Sequence, residues 1–166
     1  MEVSTKAGVV IRIHEIYIKA PQLQIWEAIT TPKWTEKYGY GAAAEYELKP
    51  GGAFRYRASP QMKTYGLPDT IIDGEVFEAD PPRKLVHSYR WLFTDANRAE
   101  GFTRVTWEIE PTESGFCRLT VTHEMENAPI MAASTAAKFD TRGGGGWNWI
   151  LSDLKTLLET GKRMSA

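Results

Sequence analysis

The chain has 166 residues, 42% hydrophobic and 25% charged, the composition and size of one globular domain. Its 20 Lys+Arg against 21 Asp+Glu leave a net charge of −1 with no basic run, which argues against a nucleic-acid partner because phosphate neutralisation needs a basic surface. No apolar run approaches the roughly 18 residues of a membrane span, the single Cys117 cannot close an internal disulfide, and the N-terminus MEVSTKAGVVIRIHE lacks the basic and apolar regions of a signal peptide, so the expected location is cytoplasmic.

Residues 9–18 (VVIRIHEIYI) are rich in β-branched side chains and predict a first strand. From Pro21 the apolar positions Leu23, Ile25, Trp26 and Ile29 recur at helical spacing, with proline at the start where a missing N–H costs nothing. Thr30-Thr31-Pro32 breaks this helix, and Trp34, Lys37 and Tyr38 predict a second helical turn before the Gly39–Gly41 loop. Six more strands are predicted near 44–49, 53–59, 71–79, 83–93, 102–111 and 116–125, separated by Pro/Gly/Asp-rich turns. Ala128–Phe139 is Ala-rich and mildly helical, a candidate lid, and Gly143–Gly146 resets the backbone behind it. Finally Trp147, Ile150, Leu151, Leu154, Leu157 and Leu158 form the stripe of a long amphipathic helix running to Met164.

Seven strands followed by one long helix, without βαβ alternation, predict an α+β domain with an antiparallel sheet. One helix covers only part of the concave face of such a sheet, and the uncovered part is expected to form a cavity.

Alternation assigns the faces of the strands. Leu85, His87, Tyr89 and Trp91 share one side of 83–93; Thr103, Val105, Trp107 and Ile109 share one side of 102–111; Cys117, Leu119, Val121, His123 and Met125 share one side of 116–125. Strand 53–59 offers Phe54, Tyr56 and Ala58. His14 faces inward with Ile16 and Ile18 unless a bulge interrupts the first strand. The expected ligand-binding set is therefore Tyr56, His87, Tyr89, Trp91, Trp107 and His123, with Trp147 from the final helix: an apolar, aromatic lining with a few polar groups, as small-molecule pockets have. The rings supply contact area and His87 and His123 orient a polar group.

No HxH, HExxH or CxxC spacing occurs, and His87 lies two strands from His123, so no metal and no cofactor are expected. No GxSxG elbow is present and Gly143–Gly146 is not followed by Lys-Ser/Thr, which argues against a nucleophilic hydrolase and a phosphate loop. Two alternatives to simple binding stand beside it. In one, His87 or His123 acts as acid or base in a cavity enzyme. In the other, Trp34, Tyr38 and Tyr40 form an exposed aromatic patch for protein docking or a homodimer.

Ala20-Pro21, Trp26 and Ala28-Ile29-Thr30 with Pro32, then Pro50-Gly51-Gly52 with Phe54, Gly74-Glu75-Val76, Pro81-Pro82, Leu85-Val86, Leu119–Glu124 and Gly146-Trp147 follow one another over residues 9–162. In this order and spacing they resemble the activator of heat-shock-protein-90 ATPase homologue-like family of the START-like (SRPBCC, helix-grip) superfamily. The resemblance implies a curved antiparallel sheet of seven strands wrapped around a long C-terminal helix, with two short helices between the first two strands, and a pocket for a hydrophobic, aromatic or lipid-like ligand. It also brings polyketide cyclases and aromatases into view as relatives. A Trp usual after the second short helix is here Tyr38, and the Asp usual before the proline is Thr31. The separate chaperone-binding domain of the eukaryotic co-chaperone has no counterpart, so activation of a chaperone ATPase is not expected.

Overall fold

In a computed structural model, residues 2–6, 8–136 and 146–164 are described, with side chains from Gly8 onward. Eight strands, β1 (Glu2–Lys6), β2 (Val9–Ile18), β3 (Ala43–Tyr46), β4 (Ala53–Arg57), β5 (Thr70–Asp80), β6 (Lys84–Trp91), β7 (Thr103–Pro111) and β8 (Cys117–Glu126), form one antiparallel sheet in the order β1-β2-β8-β7-β6-β5-β4-β3. The seven expected strands are all there. The additional β1 pairs with β2 at the sheet edge, Lys6 opposite Val9, through a turn in which Gly8 takes φ +78°. The N- and C-terminal strands of the expected set, β2 and β8, pair along their whole length from Val9–Glu126 to Ile18–Cys117.

Helices α1 (Gln22–Thr30) and α2 (Pro32–Thr35) lie between β2 and β3, as expected. Two short helices in the predicted turns were not expected: α3 (Pro60–Thr64) and α4 (Asp95–Glu100). Each starts from a hydroxyl cap, Ser59 accepting from Met62 N–H at 3.2 Å and Thr94 accepting from Asn97 N–H at 3.1 Å. Helix α5 (Pro129–Thr135) occupies the Ala-rich segment; residues 137–139 of the candidate lid and Gly143–Gly145 lie outside the described residues. Helix α6 (Gly146–Thr160) closes the fold and is shorter than expected, ending at Gly161 with φ +80°.

The core lies between the concave sheet face and α6. Trp147, Leu151, Leu154 and Leu157, spaced 4, 3 and 3, point into it from α6, while Ile18, Phe54, Val76, Leu85, Val105, Ile109, Leu119 and Val121 meet them from the strands. Full burial of each such Leu or Ile contributes roughly 1.5–3 kcal/mol. From α1, Ile25, Trp26, Ala28 and Ile29 seal one end. The pairing of β5 with β6 shifts register between Val76 and Glu78. Gly74 lies against the backbone of Ser88, and Glu75 N–H donates to Ser88 Oγ at 2.8 Å. A Cβ on Gly74 would stand 2.0 Å from Ser88 carbonyl oxygen, a clash only backbone movement could relieve.

Gly74→Ala is therefore expected to cost about 3 kcal/mol or more. Gly51→Ala, where φ is +84° but nothing lies within 4 Å of the new Cβ, is expected to cost about 1 kcal/mol. Urea midpoints of the two variants check this ordering; equal losses would contradict the close-approach account of Gly74.

Candidate functional site

The register sets a row of inward side chains across four strands. His87 stands opposite Val105, Val105 opposite His123, and His123 opposite Arg12. On β2 the buried positions Arg12, His14 and Ile18 are in phase, so no bulge intervenes and His14 faces inward, opposite Val121. All three histidines and one arginine are thus buried on the concave side.

Hydrogen bonds fix the state of each ring. His87 Nδ1 lies 2.8 Å from the Ser88 carbonyl and must donate to it, so Nε2 is the acceptor for the indole N–H of Trp107 at 3.0 Å. His123 Nδ1 accepts the Trp147 indole N–H at 3.1 Å, so its Nε2–H donates to Thr103 Oγ1 at 2.8 Å, and that hydroxyl donates on to the Tyr89 carbonyl at 2.8 Å. Burial pushes His87 down to about 4 and His123 down to about 3, the latter helped by the neighbouring His87, His14 and Arg12. Both rings are neutral with both nitrogens engaged by the protein. His14 Nδ1–H donates to Asn148 Oδ1 at 2.9 Å, while its Nε2 is buried without a partner; burial lowers its pKa too. Arg12 donates to Thr135 Oγ1 at 3.0 Å and to the Ala132 carbonyl at 2.9 Å, a cation at the C-terminal end of α5. Among the described residues no three His, Cys, Asp or Glu side chains converge on a common metal position.

In front of this hydrogen-bonded wall lies a cavity of about 420 Å³. Its walls are the rings of Tyr38, Tyr56, Tyr89, Trp91, Phe93 and Trp147 and the aliphatic chains of Met62, Leu67, Ile71, Ile72 and Ile150. Polar groups reach it from Thr35, His123, Ser134 and Thr135, and among the described residues no Asp, Glu, Lys or Arg belongs to its lining. The loop Gly39–Ala42 forms its rim. That loop is tied down by Asp153, a fully buried carboxylate on α6 that accepts from Gly39 N–H at 2.8 Å, Met164 N–H at 2.6 Å and Arg163 at 3.2 Å. Arg163 also donates to the Gly39 carbonyl at 2.8 Å.

Of the residues singled out from the sequence, Tyr56, Tyr89, Trp91, His123 and Trp147 lie together on the cavity surface; His87 and Trp107 do not. They sit one layer deeper, bonded to each other, and the fully buried Phe54 packs 4.2 Å from the His87 ring and 5.1 Å from that of Tyr56. His87 therefore has no free nitrogen with which to orient a ligand, and neither does His123. Nor is either one a base poised near neutrality, which removes the proton-transfer role weighed for them. Trp34, Tyr38 and Tyr40 form no exposed patch: Tyr38 is buried, donating its hydroxyl to the Ala28 carbonyl at 2.8 Å, Trp34 packs against the core, and only Tyr40 is exposed. Phe93 and Ile150 were not singled out. Phe93 continues the two-residue period past Trp91, and Ile150 follows Trp147 by three on the helix, so both were within reach of the same patterns.

The neutral histidines make stability depend on pH. The unfolded chain takes up protons near 6.5 at these positions, whereas folded His87 and His123 resist until about 4 and 3. Their contribution is complete above pH 6.5 and is lost as pH falls from 6.5 toward 4 and below, by several kcal/mol in total. Urea unfolding from pH 7 to pH 4 is expected to show this fall, with net proton uptake on unfolding near pH 5. A flat profile would contradict the neutral, bonded rings.

Among functionally curated proteins none is significantly similar in sequence. Solved structures share the fold. The Aha1 dimer from Colwellia psychrerythraea matches with TM-score 0.63 at 20% identity, covering 92% of this chain and 98% of that one. An HSP90 activator from Plasmodium falciparum matches with TM-score 0.62 at 18% identity, covering 90% and 96%. CalU16 from Micromonospora echinospora matches with TM-score 0.63 at 18% identity, covering 95% and 82%. The family profile described as activator of Hsp90 ATPase homolog 1-like protein matches residues 19–159, and with the helix-grip architecture around α6 it establishes that this chain belongs to that START-like family.

Proposed function

We propose that this chain is a cytoplasmic binding protein that takes a small hydrophobic or aromatic molecule into the cavity between sheet and α6. The observation that carries the reading is the lining: a space of about 420 Å³ walled by aromatic rings and aliphatic chains, with no charged side chain among the described lining residues, inside the size range of small-molecule sites. Its rim is held by hydrogen bonds to the buried Asp153, which favours a standing cavity over one formed only on demand. Binding is favoured over turnover because His87 and His123 are neutral and bonded on both nitrogens, which leaves neither of them to move a proton. A docking role loses its basis at Tyr38, which is buried; the dimer and the HSP90 activator among the related structures are properties of those proteins. No helix among the described residues is long and apolar enough to cross a membrane.

Wild-type protein is expected to bind an uncharged environment-sensitive dye such as Nile red with a marked rise in emission. Ala42→Trp, which places an indole at the rim of the cavity, is expected to weaken that binding at least about tenfold while leaving the melting temperature within a few degrees. Unchanged dye binding in a folded Ala42→Trp variant would place the dye elsewhere and contradict the assignment.

A further inference from the structure

The polar groups that the cavity leaves available are hydroxyl donors. Among the described residues Tyr56 Oη donates to no partner; the buried hydroxyl of Tyr46 beside it acts on Tyr56 as a donor, which opposes the upward push of burial and leaves the Tyr56 proton uncommitted. Tyr89 Oη only accepts, from the Trp91 indole at 3.4 Å, so its own proton is uncommitted. The two rings flank Phe54, with centroids 5.1 and 6.3 Å from it, and both line the cavity. Burial pushes Tyr56 up to about 12, and Tyr89 is raised further by burial and by Tyr56 beside it, so both stay protonated and can donate. The other cavity polar groups are largely committed: His123 on both nitrogens, Tyr38 to Ala28, and Thr135 to the Met131 carbonyl and Arg12.

Charge is the second constraint. A carboxylate entering this space would lose its hydration and meet, among the described lining residues, only neutral donors. The buried cation behind it, Arg12, is not part of the lining and donates to Thr135 and Ala132 instead. A cation would find aromatic faces, but no carboxylate among the described lining residues, and Arg12 would repel it across Thr135. Among the described residues of the wall, neither sign of charge is met.

Building on the cavity-binding reading, we infer that the preferred ligand is an uncharged, ring-bearing molecule whose carbonyl oxygen accepts hydrogen bonds from Tyr56 and Tyr89. The two phenols are then the specificity-determining residues, and the rings of Trp91, Phe93 and Trp147 hold the ligand's apolar body.

Four naphthalene probes built on one 2-dimethylamino ring test this on the intact protein: the 6-propionyl ketone, whose emission moves to longer wavelength when its carbonyl accepts a hydrogen bond, the 6-carboxylate, the 6-trimethylammonium salt, and the unsubstituted parent. The ketone is expected to bind more tightly than either charged probe by at least about tenfold. In Tyr56→Phe and Tyr89→Phe its affinity is expected to fall about three- to tenfold, the worth of one neutral hydrogen bond, with emission moving to shorter wavelength. Affinity for the parent, which has no carbonyl, should not change in these variants, which also reports that they remain folded. A charged probe binding as well as the ketone, or Phe variants that leave ketone affinity and emission unchanged while the parent still binds, would overturn the carbonyl assignment and leave the cavity reading standing. Failure of all four probes to bind folded wild-type protein would overturn both.

Discussion

The hydrogen bond from the Trp147 indole to His123 Nδ1, 3.1 Å long and buried, is the constraint on which the rest of the concave side depends. It joins the first turn of α6 to the middle of the sheet, and it can form only if His123 is neutral with its proton on Nε2. That proton then goes to Thr103, and Thr103 donates to the Tyr89 carbonyl, so one chain of bonds runs from α6 through β8 and β7 to β6. The Trp147 ring, held edge-on to both Trp107 (5.4 Å, 81°) and His123 (5.9 Å, 89°), becomes a wall of the cavity rather than filler for it. A charged His123 would break the donor–acceptor order at the first link.

The concave side is therefore divided in depth. The inner layer, His87 with Trp107 and His123 with Trp147 and Thr103, is polar but internally satisfied, so its buried nitrogens carry no desolvation deficit. The outer layer is apolar apart from the hydroxyls of Tyr56 and Tyr89 and the side chains of Thr35, Ser134 and Thr135. Large rings fixed from behind by hydrogen bonds do not readily rotate inward to fill the space before them, and the Gly39 rim is held across that space by Asp153 and Arg163. Helix α6 is anchored by two residues six positions apart, Trp147 to His123 in the wall and Asp153 to Gly39 at the rim. Arg12 does the same for α5 by donating to the carbonyl of Ala132 and the hydroxyl of Thr135.

Much of this was legible in the sequence. In β7 and β8 buried positions alternate with half-buried or exposed ones almost without exception, because one face of each is core and the other is not, so period two suffices there. In β6 the pattern is lost from Leu85 to Tyr89, all buried, where the register with β5 shifts and Ser88 is covered by the close approach of Gly74. Alternation gives a face but not a depth: His87 and Tyr89 share a side of one strand, yet only Tyr89 reaches the cavity, since Phe54 lies over His87. Tyr38 read as surface because its burial depends on a bond to Ala28 on a helix ten residues earlier, a tertiary contact with no local signal. Helices α3 and α4 are too short for periodicity and were announced only by their Ser59 and Thr94 caps.

The central claim, an accessible apolar cavity in front of a closed polar layer, is tested most directly by methyl NMR during titration with an uncharged aromatic hydrocarbon such as toluene. Ile71, Ile72 and Ile150 line the cavity, whereas Ile18, Ile25 and Ile109 are buried in the core outside it. The account predicts saturable shifts at the δ1 methyls of the first three, with the second three unmoved. Silent Ile71, Ile72 and Ile150 methyls, or shifts spread evenly over all six, would contradict it.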